Sequence, residues 1–278
     1  MPPSDPRTRL VVNADGFGLS SARTAGVVFA HRHGIVTSTS ILGNVEDVAS
    51  VRAEIAPLPQ LGTGVLLSLL GGAPVAKPES VPSLVGEDGR FFARARDVAL
   101  AWAKAALGPA DIEREFDAQV SRLLDYGFAL DHLATRDHLG CLPMIAQAME
   151  SVARRHAIPG LRMAMEGPGL AWVAQPARGL ASAGLGALAW LSRRRLGLRR
   201  HGPQSWGTFE CGSLDEIRIL EILGRLGPGG HELVCRPEID PGAEVARAGS
   251  EVAGLTSPRV IEALTRREIV CCRWADLF

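Results

Sequence analysis

Short apolar runs recur along the chain. Several close on a charged residue, and most are followed by a segment of helical periodicity. The first run is Arg9-Leu10-Val11-Val12-Asn13-Ala14-Asp15. A short run that is apolar at consecutive positions fits a strand covered on both faces. The chain then turns through Gly16 and Gly18, and Ser20 is placed to cap a helix from Ser21 to about His33. Further strands are expected over Gly34–Leu42, Leu61–Leu69, Leu130–Thr135, Gly160–Met165, Glu232–Cys235 and Glu268–Arg273. Helices are expected over Val45–Ile55, Phe91–Leu107, Asp111–Tyr126 and Pro143–His156, and Ser257 with Pro258 opens another. Gly71 to Arg90 reads as a Pro- and Gly-rich loop, long enough to be functional or partly mobile. Strand and helix alternate about seven times, which predicts a parallel α/β architecture. Alternation alone fits a barrel and an open sheet equally.

The 278 residues contain no long polar tract, so a single domain over 1–278 with a large core is expected. Lysine plus arginine (30) balances aspartate plus glutamate (30), which argues against nucleic acid as the general partner. Met1 to Thr8 lacks the basic-then-apolar order of a signal peptide, and no apolar run is suited to spanning a bilayer. The five cysteines (Cys141, Cys211, Cys235, Cys271 and Cys272) lack zinc-type spacing. Cys235 and Cys271-Cys272 read as small core residues, and Cys141 as core or rim packing. A cytoplasmic setting is the simplest expectation.

In parallel α/β proteins the residues just past the strands share the functional face. Here those residues are Asp15, Arg136, Asp137, His138, Glu166 and Arg236. Asp15 is the first candidate for chemistry, with an Asx turn or a cap as the structural alternative.

Asn13-Ala14-Asp15-Gly16-Phe17-Gly18-Leu19-Ser20 resembles the opening motif of the YdjC-like carbohydrate deacetylases, Asn-Ala-Asp-Asp-Phe-Gly-Leu-Ser. Gly34 to Ser40, Leu61 to Pro74, Asp131 to Pro143 and Glu232 to Pro237 are similar to later blocks of that family, in order. The resemblance implies a distorted (β/α) TIM-like barrel with about seven parallel strands. It also implies that Asp15 stands at the family's general base. Gly16, Leu66 and Arg136 stand at its metal ligands, with His138 retained and Gly140 replacing another histidine. Arg236 replaces the histidine used near the reacting centre. Glycine and leucine side chains offer a metal no lone pair, and a guanidinium offers only donors. No metal or other cofactor is therefore expected, unless Asp137, His138 or Glu166 supplies replacement ligands.

The expected function is a metal-independent enzyme acting on a sugar-containing or anionic small molecule. Asp15, His138 and Arg236 would be catalytic, and Arg136, Glu166 and Asp137 would hold substrate. A non-catalytic binder of a sugar or lipid-linked sugar, and an N-deacetylase with replacement ligands, are the rival accounts. Arg136 and Arg236 are expected to pair around Asp15 where the metal would stand, holding its pKa down and leaving His138 the better acid or base. Gly179 to Arg200 reads as an apolar helix with a basic end. It could be a membrane-surface contact, a lid, a homodimer contact or a core helix. The family's hopanoid-associated branch makes a lipid-linked sugar a partner of interest.

Overall fold

Strand β1 (Thr8–Phe17) lies inside the sheet, paired on both sides. Its alternate residues Leu10, Val12 and Ala14 join the hydrophobic core, so Asn13 and Asp15 face the opposite, interior side. The computed structural model describes residues 7–163, 202–208, 210–240 and 250–278, with Gly184 and Ala187. The remaining described strands are β2 (Ser38–Leu42), β3 (Gly62–Leu67), β4 (Leu130–Thr135), β5 (Gly160–Leu161), β6 (Gln204–Trp206), β7 (Gly229–Cys235) and β8 (Val270–Cys271). They run in the order β5-β4-β3-β2-β1-β7-β6, and β8 pairs with Arg9 and Leu10 at the start of β1. Every pairing is parallel. Just before β6, the Gly202 amide donates to the Leu161 carbonyl at 2.8 Å, so the two edges of the curled sheet meet.

The eighth described strand, β6, is the one absent from the expected set. Its three residues are too few to show any periodicity.

Helices follow the strands as expected. Ser20 caps α1 (Ser21–His33) by accepting the Arg23 amide, and Asp47 caps α2 (Val48–Ile55). Helix α3 spans Ala95–Ala103. Helix α4 (Pro109–Asp125) buries Ile112, Phe116, Val120 and Leu123, one stripe at helical spacing, and packs on α5 (Pro143–Arg155). The last three are α6 (Glu216–Arg225), α7 (Ser250–Leu255) and α8 (Pro258–Arg266), with Ser257 capping α8. No described helix is long and apolar enough to cross a membrane.

The loop after β3 is fastened to α4. Glu115 accepts the amides of Val75 and Ala76 at 2.9 Å each, and Asp111 accepts the Ser83 hydroxyl at 2.7 Å. Cys235 is buried as expected, whereas Cys271 is exposed and Cys272 partly so. Two-residue β8 pairs on one side only, with β1, so the core does not extend over it. Trp274, fully buried, closes the N-terminal end of the strands and stacks on His132 with ring centroids 4.8 Å apart.

Candidate functional site

Asp15, 1% exposed, accepts from one nitrogen of Arg162: Nη1 lies 2.8 Å from Oδ1 and 2.7 Å from Oδ2. The rest of the guanidinium is taken by Glu232, with Nε at 2.9 Å and Nη2 at 2.7 Å from Oε1. Ser205 on β6 donates its hydroxyl to Glu232 Oε2 at 3.1 Å. The three charged side chains come from β1, the end of β5 and β7, and all are buried. Burial would raise the Asp15 pKa, but Arg162 first and then Arg236 outweigh it, and the carboxyl is held below its ordinary value.

Neither Arg162 nor Glu232 was among the expected site residues. Each is a lone charge inside an apolar strand-like run, and such residues are buried only when paired. That pattern was the available signal. The expected pairing of Asp15 with Arg136 and Arg236 is corrected accordingly. The guanidinium bonded to Asp15 is Arg162, and Arg236 acts on Asp15 through space.

A second buried chain reaches Asp15 from below. Asn13 Nδ2 donates to Asp15 Oδ1 and to Ser40 Oγ, both at 3.0 Å. Ser40 Oγ lies 2.8 Å from His132 Nε2, and His132 Nδ1 lies 2.7 Å from Asp131 Oδ1. In register, Asp15 pairs with Ser40 and Ser40 with Gly64. The His132 ring crosses above Gly64, where a Cβ would come within 2.3 Å of it. Only a glycine in β3 lets a side chain of β4 reach β2.

After β4 the chain takes left-handed conformations at Asp137 (φ 50°) and His138 (φ 58°). Such strain in non-glycine residues gathers at functional sites. It separates neighbours in sequence: His138 is buried, while Asp137 is exposed. His138 Nε2 donates to the Thr208 carbonyl at 3.0 Å. Burial is the largest influence on this ring and pulls its pKa down to about 4, with Arg162 and Arg236 adding to it and Asp15 opposing. His138 is therefore neutral at pH 7.

Arg236 follows β7, its side chain 26% exposed, and Nη2 lies 3.7 Å from Asp137 Oδ1. Arg136 takes another direction and donates to the Leu70 carbonyl at 3.0 Å. It walls a groove of about 460 Å³ together with Gly18, Ser20, Asn44, Glu46 and Gly72. Neither Asp15 nor His138 lines that groove. Glu166, and the whole of 179–200 apart from Gly184 and Ala187, lie outside the described residues. Cys211, behind Arg236, is pushed up to about 12 by burial and is no thiolate near neutrality.

Glu251 on α7 is buried beside Arg236. Among the described residues neither of its oxygens has a partner in good hydrogen-bonding geometry, although the Gly212 and Arg236 amides lie close enough to favour its charge. Burial dominates and pushes its pKa up to about 7. A raised carboxyl pKa means stability that is full below the unfolded value and lost as pH rises through the folded one. Glu251→Gln should therefore stabilise the protein by about 1–3 kcal/mol at pH 8 and have little effect near pH 4.5, as read by urea denaturation at both pH values.

The positions that the resemblance aligns with metal ligands do not fit a metal. Gly16 has no side chain, Leu66 is a buried apolar residue and Arg136 is a donor engaged with a carbonyl. Among the described residues no group of three or more His, Cys, Asp or Glu could hold a metal ion.

The sequence model of the family described as "YdjC-like protein" matches residues 9–266. A carbohydrate deacetylase of Brevibacillus brevis is 35% identical over 151 residues, covering 54% of this chain and 58% of that protein. The match to a carbohydrate deacetylase of Geobacillus stearothermophilus covers 57% of that relative, so these alignments span little more than half of each. A carbohydrate deacetylase of Mus musculus is 31% identical over 251 residues, 85% of this chain and 79% of the relative. A solved structure from Enterococcus faecalis V583, proposed to be a cellobiose-phosphate cleavage protein, superposes with a TM-score of 0.77 at 25% identity, covering 98% of this chain and 99% of that one. That structure shares the (β/α)-barrel fold. With the curled parallel sheet, the opening motif on β1 and a family match over nearly the whole length, the chain belongs to the YdjC-like protein family.

Proposed function

We propose that this chain is a carbohydrate-directed enzyme that works without a divalent ion at the family's ligand positions. It would act on an acetylated or anionic sugar at the C-terminal face of the barrel. The observation that carries this reading is the convergence of Asp15, His138 and Arg236 on that face. The carbohydrate deacetylases among the relatives supply the substrate class. Arg236, partly exposed and only loosely paired, is placed to hold a carbonyl oxygen or an anionic group on the ligand. Asp15 stays ionised and His138 neutral, so an incoming water would meet two weak proton acceptors. Slow turnover is the expected consequence. Asp137, exposed beside Arg236, would hold the rest of the sugar.

A second reading is favoured by the enclosure of Asp15, both of whose oxygens are bonded by Arg162. In that reading the face binds a sugar without reacting with it.

The test uses protein treated with chelator. Chitooligosaccharides and acidic sugars are supplied, acetate release is followed by NMR, and binding is measured by calorimetry. The enzyme reading requires acetate release that survives the chelator and is lost in Arg236→Ala. For an acidic sugar, Arg236→Ala should weaken binding about ten- to a hundredfold, since a charge-assisted contact is worth about 1.5–3 kcal/mol. Lysine at 236 should recover only part of this, because it lacks the planar fork. Binding without release would select the second reading. Release abolished by the chelator would return the metal to the mechanism and overturn the proposal.

A further inference from the structure

Asp131, His132 and Ser40 have the contacts of a nucleophilic triad, at 2.7 and 2.8 Å, but Ser40 and His132 are both fully buried. A serine nucleophile must meet its substrate, and this one faces only protein. Its hydroxyl oxygen is already occupied by the Asn13 amide at 3.0 Å. The three residues are better read by what lies at the far end of the chain they form.

For a neutral His132 ring the polarity of that chain is determined. A carboxylate oxygen only accepts, so His132 Nδ1 carries the proton given to Asp131. His132 Nε2 is then bare and must accept, which points the Ser40 hydroxyl proton at it. The Ser40 oxygen is left to accept, and Asn13 Nδ2 fills it with one hydrogen while giving the other to Asp15 Oδ1. Asn13 Oδ1, also buried, has no hydrogen-bond partner among the described residues. Nothing described on that side of the amide resists its rotation, so the orientation is held from the Ser40 side and from Asp15 itself. Rotated by half a turn, the amide would set a carbonyl oxygen against the Asp15 carboxylate.

We propose that His132 is a positioning residue for Asp15, acting through Ser40 to keep the donor side of the Asn13 amide on the Asp15 carboxylate. Gly64 is part of the device, because it is the gap through which the ring reaches Ser40. The proposal holds whether or not the barrel face is catalytic, since it concerns only the proton affinity of Asp15.

The charged and titratable groups around Asp15 are Arg162, Arg236, His138 and the thiols of Cys211 and Cys235, with Arg23 Nη1 on its main-chain carbonyl at 2.9 Å and Glu232 behind Arg162. Around His132 stand Asp131 and the uncharged Trp274. The variants below leave all these groups in place, apart from His132 itself where it is replaced.

The experiment is a carboxyl-carbon NMR titration of the full chain labelled at aspartate, with the Asp15 signal assigned by Asp15→Asn. Ser40→Ala and His132→Phe should each move the Asp15 titration up by roughly one pH unit, the scale of a lost hydrogen bond to a charged carboxylate. In an Asn13→Ala background Ser40→Ala should have no further effect, because the path runs through Asn13. Thr39→Val is the control. It removes a buried hydroxyl from the neighbouring position of the same strand, one bonded to the Ala14 carbonyl, and should leave Asp15 unmoved. If His132→Phe does not fold, Ser40→Ala decides alone. An Asp15 titration unchanged in Ser40→Ala, or moved equally by Thr39→Val, would overturn the proposal. Labelling of native Ser40 by a fluorophosphonate probe would overturn it too, by showing a reachable nucleophile.

Discussion

Replacement of Arg162 by methionine should remove most of the stability of the fold. The guanidinium is the only cation bonded to the Asp15 and Glu232 carboxylates among the described residues, and all three side chains are at most 2% exposed. Breaking one buried ion pair typically costs about 3–5 kcal/mol, because the surviving charge is left in a low dielectric. Here two carboxylates are stranded at once. Whole domains hold only about 5–15 kcal/mol, so the variant should be largely unfolded in mild urea. Adding Asp15→Asn and Glu232→Gln to the same chain should restore much of the loss, since neutral amides no longer need a counter-charge. Arg259→Ala serves as the contrast, because its pair with Glu216 is mostly exposed and such pairs contribute little. Urea midpoints of the four proteins decide the matter. A loss under about 1 kcal/mol for Arg162→Met would mean that water reaches the cluster.

Zinc binding should appear only when all three replaced ligand positions are changed together. Wild type and the single variants Gly16→Asp, Leu66→His and Arg136→His should carry no stoichiometric zinc by elemental analysis. The triple variant should carry about one per chain, with a melting temperature that rises on adding zinc. Gly16→Asp faces two further obstacles. Its backbone has φ 91°, a conformation L side chains rarely adopt, and a Cβ there would lie 3.5 Å from Arg23 Nη1. Arg23 is already paired with Glu238 at 2.6 Å, so the new carboxylate would compete for that guanidinium before meeting any metal. A tight zinc site in Gly16→Asp alone would show that the ligand positions have been placed wrongly.

Strand ends were legible in the sequence where an apolar run stops at a charged residue, and period two then fixes which residues face inward. Asp15 and Arg236 stand out as candidates in this way. The direction a residue takes after its strand was not legible. Arg136 and His138 are two apart in sequence, but the left-handed turn at Asp137 and His138 sends one to the groove and the other beside Asp15. Arg162 was passed over because it falls within a run read as strand, where a charge looks like an interruption. Only its match with a second interruption, Glu232 on β7, turns it into a partner. Ser40 and His132 look ordinary in sequence, and their connection depends on the empty position between them.

That empty position constrains the order in which this protein can change. Any side chain at 64 collides with the ring at 132, so substitution at 64 is harmful while His132 remains and becomes tolerable once 132 is small. The two positions are therefore epistatic in one direction. A lineage must give up the histidine before it can fill the gap, and then the histidine cannot return. Variation at 64 among relatives would date the loss of the link to Asp15, much as a filled-in doorway shows which wing of a house was closed first.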